Sequence, residues 1–358
     1  MFLALREIRH QPRRFALIVT VIALVAYVTF FLSSLSYGLG HAFSAASDKW
    51  GGADVVMSTS ANGNINASRL TDDQVAAGTS AGGEALLLTA SVASATGDGA
   101  GAKKDVYAFG IDQGSGLWPV VTAGAEITDP STQVIADDSL ERDGWAVGDT
   151  FKLGESDQVW TISGFTHDST YVTAPVLYVD RAALIDHGPI PGSAAANALV
   201  TPKGTGVGLA ARAGGEDLQS LDASQFVNSL SGYSAQMLTF NMMIGALIGI
   251  TSLVLAIFIY VLTLQKRDVL GVLKAQGVPT RQLIWSGVVQ TVLLAAVGIV
   301  IGAILTAATD LVLPAGLPFR IDWGIDALIV AAFIIFAVLG GLVSVRSVAN
   351  IDPVEAIS

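Results

Sequence analysis

Between Arg14 and His41 the chain reads FALIVTVIALVAYVTFFLSSLSYGLG, Phe15 to Gly40, with no charged residue. A helix needs about 20 mainly apolar residues to cross a bilayer. A core helix of a soluble protein carries a polar stripe that this segment lacks. Ser44-Ala45-Ala46 has the small residues of a cleavage site, but a signal peptide's apolar region is only roughly 7–15 residues. The run is therefore expected to be a membrane helix. Three more stretches follow it: the apolar part of charge-free Ala223–Gln265, from Phe240 to Leu264; Gln282–Thr309, closed by Arg281 and Asp310; and Ala327–Val345, between Asp326 and Arg346. The expected fold is a membrane protein with four transmembrane α-helices and a large mixed α/β extracytoplasmic domain between helices 1 and 2.

Composition supports that choice. Of 358 residues, 52% are hydrophobic and 14% charged, with a mean hydropathy of +0.58; soluble domains carry about 25% charged residues. The charge is unevenly placed. His41 to Gln236 holds 9 Lys/Arg against 23 Asp/Glu, net −14, and the remainder is net +3, giving −11 for the chain. So acidic an insert is a poor partner for nucleic acid or anionic headgroups. There is no cysteine, which removes disulfides, thiolate metal ligands and thiol nucleophiles together.

Positive charge sets the orientation. Arg6, Arg9, Arg13 and Arg14 precede the first run, Lys266, Arg267, Lys274 and Arg281 lie between the second and third, and Arg346 follows the fourth. Short loops rich in Lys and Arg stay cytoplasmic. Both termini are thus expected inside the cytoplasmic (inner) membrane and the acidic insert outside. The organisation that follows is an N-terminal segment with the first span (1–40), the outer domain (41–236), the second span (237–265), a cytoplasmic helix (266–282), the third span (283–309), a short outer loop (310–325), the fourth span (326–346) and a cytoplasmic tail (347–358).

Within the insert, Ala53–Ser58, Asp105–Ile111, Thr150–Leu153, Gln158–Phe165 and Tyr171–Val179 alternate as strands do. Thr71 and Asp180 stand where helix caps belong. Gly97–Ala102 and Gly204–Gly208 are expected as flexible loops. Gly78-Thr79-Ser80-Ala81-Gly82 matches the G-x-S-x-G nucleophile pattern, which needs a strand before the serine and a helix after it. A helix-like segment precedes it here, so a flexible loop is the better reading and no catalytic residue is expected. No G-x-x-x-x-G-K-[ST] or H-E-x-x-H occurs, and His10, His41, His167 and His187 are scattered, so neither ATP binding nor a metal site is expected of this chain. Gly245-x-x-x-Gly249 and Gly298-x-x-x-Gly302 lie inside two spans, either as close-packing positions or as glycines a membrane helix tolerates.

From Gln265 to Arg281, Val269, Leu270, Val272, Leu273 and Val278 alternate with charges, and Gly277 and Pro279 form a stop signal. Such a helix is either a connector on the membrane surface or a docking element for a soluble motor. Its Gly271-Val272-Leu273-Lys274-Ala275-Gln276-Gly277 core resembles the coupling region of ABC exporter permeases of the MacB/FtsX type. Val348-Ala349-Asn350-Ile351-Asp352-Pro353-Val354-Glu355-Ala356-Ile357 is similar to that family's terminal signature, and Asp137–Leu153, with Val147-Gly148-Asp149-Thr150-Phe151, to part of its outer domain. The resemblance implies a homodimer in the lipid bilayer carrying two copies of a cytoplasmic ABC ATPase, which binds ATP and Mg. Movement on the inside would be relayed to the outer domains by mechanotransmission, with Lys266, Arg267, Leu270, Gly271, Leu273, Lys274 and Gly277 as the coupling residues. The apolar runs hold no charge between their flanking residues, which suits export without a continuous polar conduit.

Ala4-Leu5-Arg6-Glu7-Ile8, Arg14-Phe15 and Ile257–Lys266 are similar to heme-exporter permeases of the HrtB kind. Iron in heme is held by His, Met, Tyr or Cys. Around the outer ends of spans 1 and 2 the candidates are Tyr37, His41, Tyr233, Met237, Met242 and Met243, including three of the five Met. Ser36, Ser234, Gln236 and Asn241 could receive heme's propionates, and Lys49 is the nearest basic residue. Heme enters here as a transported substrate; no cofactor of the chain's own is expected. Two functions remain open: an exporter permease for a hydrophobic or amphipathic compound, or an FtsX-like signalling permease whose outer domain binds a protein and transports nothing.

Overall fold

The computed structural model describes residues 12–96, 101–189, 192, 194–265, 276, 278–314 and 316–349. The chain divides into two units, one of residues 1–38 with 237–358 and the other of residues 39–236.

The first unit is helical. Among the described residues, helix α1 (Pro12–Asp48) begins in it, and α7 (Tyr233–Gln265), α8 (Thr280–Asp310) and α9 (Trp323–Ala349) follow. Phe15–Asp48, Tyr233–Phe258 and Trp285–Asp310 are long and apolar enough to cross a membrane, and Trp323–Leu339 is apolar but shorter. Phe15, Ile18, Ile22, Ala26 and Phe30 of α1 bury against Leu294, Ala295 and Ile299 of α8 and Phe333 and Ala337 of α9. A Cβ on Gly298 would lie 2.6 Å from Ile22 Cγ2, and one on Gly302 2.8 Å from Ala26 Cβ. That glycine pair is therefore a packing surface for α1. Gly245 and Gly249 of α7 have nothing within 4 Å of that position. The loop before α9 closes on α1: Arg320 N–H donates to Ser34 O (3.1 Å), and Phe319 tilts against Phe31 at 5.5 Å.

The second unit is built on one sheet of eleven strands: β1 (Asp54–Ser58), β2 (Glu84–Thr96), β3 (Lys103–Ile111), β4 (Ala123–Gly124), β5 (Gln133–Asp137), β6 (Thr150–Leu153), β7 (Val159–Thr166), β8 (Thr170–Tyr171), β9 (Ala174–Asp180), β10 (Ala198–Thr201) and β11 (Leu218–Leu221), in the order β11-β1-β10-β2-β3-β9-β5-β7-β4. β6 pairs with both β2 and β7, so β2, β3, β9, β5, β7 and β6 close into a ring. Side-chain alternation then sorts the residues. Val106, Ala108, Val134, Ala136, Phe151, Leu153, Trp160, Ile162, Leu177 and Val179 share the ring's core. Tyr107, Phe109, Ile135, Val176 and Tyr178, their neighbours along the strands, point to a second core with Phe43 and Ala46 of α1. Burying one such large side chain stabilises by about 1.5–3 kcal/mol.

Among the described residues, five short α-helices accompany the sheet: α2 (Asp72–Ser80), α3 (Asp138–Arg142), α4 (Arg181–His187), α5 (Gly206–Ala213) and α6 (Ala223–Ser229). Thr71 caps α2 through a reciprocal box with Gln74, and Asp180 caps α4 by accepting from Ala182 N–H and Ala183 N–H. Two expected loops are corrected. Gly78–Ser80 is the last turn of α2, with Gly78 buried so close to Leu199 that a Cβ would lie 2.2 Å from its Cδ1. Gly204–Gly208 is ordered by buried Asp54, whose Oδ2 accepts from Gly204 N–H and Gly206 N–H, each at 2.9 Å, at the start of α5. The single strand expected over Tyr171–Val179 is two, broken at Val172 and Thr173, whose φ angles are 48° and 67°.

Candidate functional site

The six candidate ligands divide between the two units. In the helical unit, Tyr37 is exposed near the end of the apolar part of α1, and Ser36 Oγ donates to Met237 Sδ at 3.8 Å. Met242 and Met243 are exposed at 68% and 42%. Ile244 and Ile248 pack on the helical core, and helical spacing turns Met242 and Leu238, four residues apart, away from that face. Only Met237, of the three methionines, is brought to α1.

His41 and Tyr233 belong to the second unit. His41 Nε2 is 2.8 Å from Asp168 Oδ2, and Nδ1 is 3.8 Å from Asp48 Oδ2. Both ring nitrogens face carboxylates, so His41 presents neither to an iron in this conformation. Tyr233 packs edge-on to Phe43, with centroids 5.6 Å apart.

Around His41 lies a polar network that the sequence did not single out. Lys49 Nζ donates to His167 O and to Ser169 Oγ, the latter at 2.6 Å. Burial holds the Lys49 amine below its ordinary pKa. Asp137, fully buried, accepts from Ser139 N–H, Ser139 Oγ and Ser169 N–H, and burial pushes its carboxyl above the usual range. Asp138 Oδ2 meets His167 Nδ1 at 2.7 Å and Arg142 Nη1 at 3.4 Å. Tyr178 donates to Ser169 Oγ at 3.2 Å. Beyond His41 and Lys49, the sequence signals were the adjacent acids Asp137-Asp138 and the run His167-Asp168-Ser169, each ordinary in an acidic domain. Among the described residues no group of three or more His, Cys, Asp or Glu is placed to hold a metal ion.

Lys266, Arg267, Leu270, Gly271, Leu273, Lys274 and Gly277 lie outside the described residues, as do the segments before Pro12 and after Ala349.

Comparison with known proteins now bears on this arrangement. Residues 241–353, all of α7 after its first eight residues and the whole of α8 and α9, match the FtsX-like permease C-terminal family. The putative hemin transport system permease protein HrtB of Staphylococcus epidermidis is 24% identical over 368 residues, covering 100% of this chain and 99% of that protein. Its namesake from Staphylococcus haemolyticus is 23% identical over 371 residues, with the same coverage. Among solved structures, the periplasmic region of MacB from Actinobacillus actinomycetemcomitans is similar at a TM-score of 0.37 and 11% identity, covering 51% of this chain and 93% of that one.

Proposed function

We propose that this chain, similar to FtsX-like and HrtB permeases, is the membrane subunit of an ATP-driven exporter for a hydrophobic or amphipathic compound, with heme the first candidate. Full-length similarity to permeases named for hemin transport supports that cargo. The structural observation that carries it is a set of phenolic and thioether donors left outside the core: Tyr37, Met242 and Met243 exposed, with Met237 held at Ser36. These are side chains able to ligate heme iron. In this reading the exposed side of α7 faces a second copy of the chain, and a heme ring would rest in the apolar cleft the two copies share. His41 and Tyr233, already engaged by Asp168 and Phe43, would support the helix ends. Ser36, Gln236 and Asn241 would receive the propionates without binding them tightly.

The chain itself would catalyse nothing. Two copies of a cytoplasmic ATPase, holding ATP and Mg, would dock at residues 266–282 through Lys266, Arg267, Leu270, Gly271, Leu273, Lys274 and Gly277. Helix α1, unbroken from Pro12 to Asp48, would relay their movement to a domain on the far side of the cytoplasmic membrane.

Titrating the detergent-solubilised chain with heme tests the cargo. A saturable Soret-band change is expected, reduced at least tenfold in apparent affinity when Met237, Met242 and Met243 become Ala and Tyr37 becomes Phe. A wild-type chain with no saturable change, or a quadruple variant that binds as wild type does, overturns the site. Recruitment of a protein to the outer domain without heme binding would favour a signalling role instead.

A further inference from the structure

Among the described residues four that are not glycine have positive φ, and three of them, Asp168, Val172 and Thr173, lie within six positions. Asn62, the fourth, is of a type that tolerates the left-handed region; Val and Thr, branched at Cβ, do not. Tyr171 pairs with Ala174, so Val172 and Thr173 are the two central residues of a hairpin turn with φ positive at both. Such turns are ordinarily made by Asn-Gly or a similar pair. Local preference opposes this turn, and something else must hold it.

The last turns of α1, in the same unit, supply that hold. Val172 N–H donates to Phe43 O and Thr173 N–H to Ala42 O, each at 3.0 Å. On one side His41 grips Asp168 at 2.8 Å; on the other Lys49 reaches His167 O and Ser169 Oγ. The turn leads inward as well. Tyr171 packs edge-on against Tyr107 and Phe109, and Val172–Pro175 form one wall of a surface groove of about 710 Å³ that Lys103, Lys104 and Tyr107 also line.

We propose that the Val172–Thr173 turn is a strained latch, held in its left-handed form by α1 and relaxing, with a change of shape in the adjoining groove, when α1 withdraws. A turn that only needed to be tight would be served by residues at ease there. One whose residues resist the shape, and keep it only against a helix, has a second conformation to which it returns. The latch rests on this geometry; its trigger, movement of α1 driven by a partner ATPase, rests on the function proposed above.

Amide exchange of segment 170–177 in the purified full chain separates the two. His41→Ala, which loosens the helix, is expected to speed exchange at Ala174 and Val176 at least tenfold. Adding Val172→Asn and Thr173→Gly, which make the turn comfortable without the helix, should return it to within threefold of wild type. Exchange unaffected by His41→Ala, or as fast in the triple variant as in the single, overturns the latch. Lys49→Met replaces His41→Ala if that variant fails to fold. With the ATPase bound, exchange in this segment should differ at least tenfold between ATP-trapped and nucleotide-free complexes. Equal exchange in a complex that hydrolyses ATP overturns the trigger. A chain that recruits no ATPase defeats the proposed function while the first comparison still decides the latch.

Discussion

Tyr171 is fully buried and its hydroxyl has no hydrogen-bond partner, whereas Tyr178, equally buried, donates to Ser169 Oγ. Tyr171→Phe should therefore leave the stability of the sheet-bearing unit unchanged or raise it by up to about 1 kcal/mol, and Tyr178→Phe should lower it by about 1 kcal/mol. Burial raises the pKa of both phenols. In the unfolded chain they ionise near pH 10, so the stability they contribute is complete below about pH 10 and is lost as pH rises beyond it. Thermal unfolding of the detergent-purified chain from about pH 8 to 11 should show that loss, and the double Phe variant should flatten it. An unchanged alkaline slope in the double variant contradicts the assignment. Residue types were legible here and their partners were not. His41 stood out as an imidazole near an apolar run, but its carboxylate at Asp168 lies far along the chain, and nothing local marks the pairing.

At the scale of the element, the two small-residue pairs part company. Gly298 and Gly302 lie against Ile22, Ala26 and the backbone of Tyr27, so Gly302→Val should destabilise the purified chain by about 1–3 kcal/mol through overpacking. Gly245→Val, where nothing stands within 4 Å, should change it by less than about 0.5 kcal/mol. Equal melting shifts for the two variants would contradict this division. Identical spacing made the pairs indistinguishable in sequence, because spacing does not say which helix stands opposite. The capped helices at Thr71 and Asp180 and strands β1, β3, β6 and β7 were legible, their signals being local. The longest strand, β2, has the sequence EALLLTASVASAT. Its Ala and Ser residues weaken the alternation that would have marked it. The break at Val172–Thr173 was hidden for the opposite reason: both residues favour extended backbone, and α1 holds them away from it.

For the whole molecule, charge and hydropathy located an acidic insert between apolar helices, and the fold has that order. Ring closure did not show, since it depends on β6, four residues long, bridging β2 and β7. The proposed cargo site rests on side chains exposed on α1 and α7, and exposure is a property of the folded chain. An exporter requires that ATP hydrolysed by a partner remove its cargo from the cell. The most direct measurement is cell-associated heme after hemin exposure, in cells making the chain with its ATPase and in cells where that ATPase lacks its catalytic base. Active pairs should hold several-fold less heme than inactive ones, and cells with the chain alone should match the inactive pair. Equal heme in all three, with the chain in the membrane and the ATPase bound to it, would contradict the account.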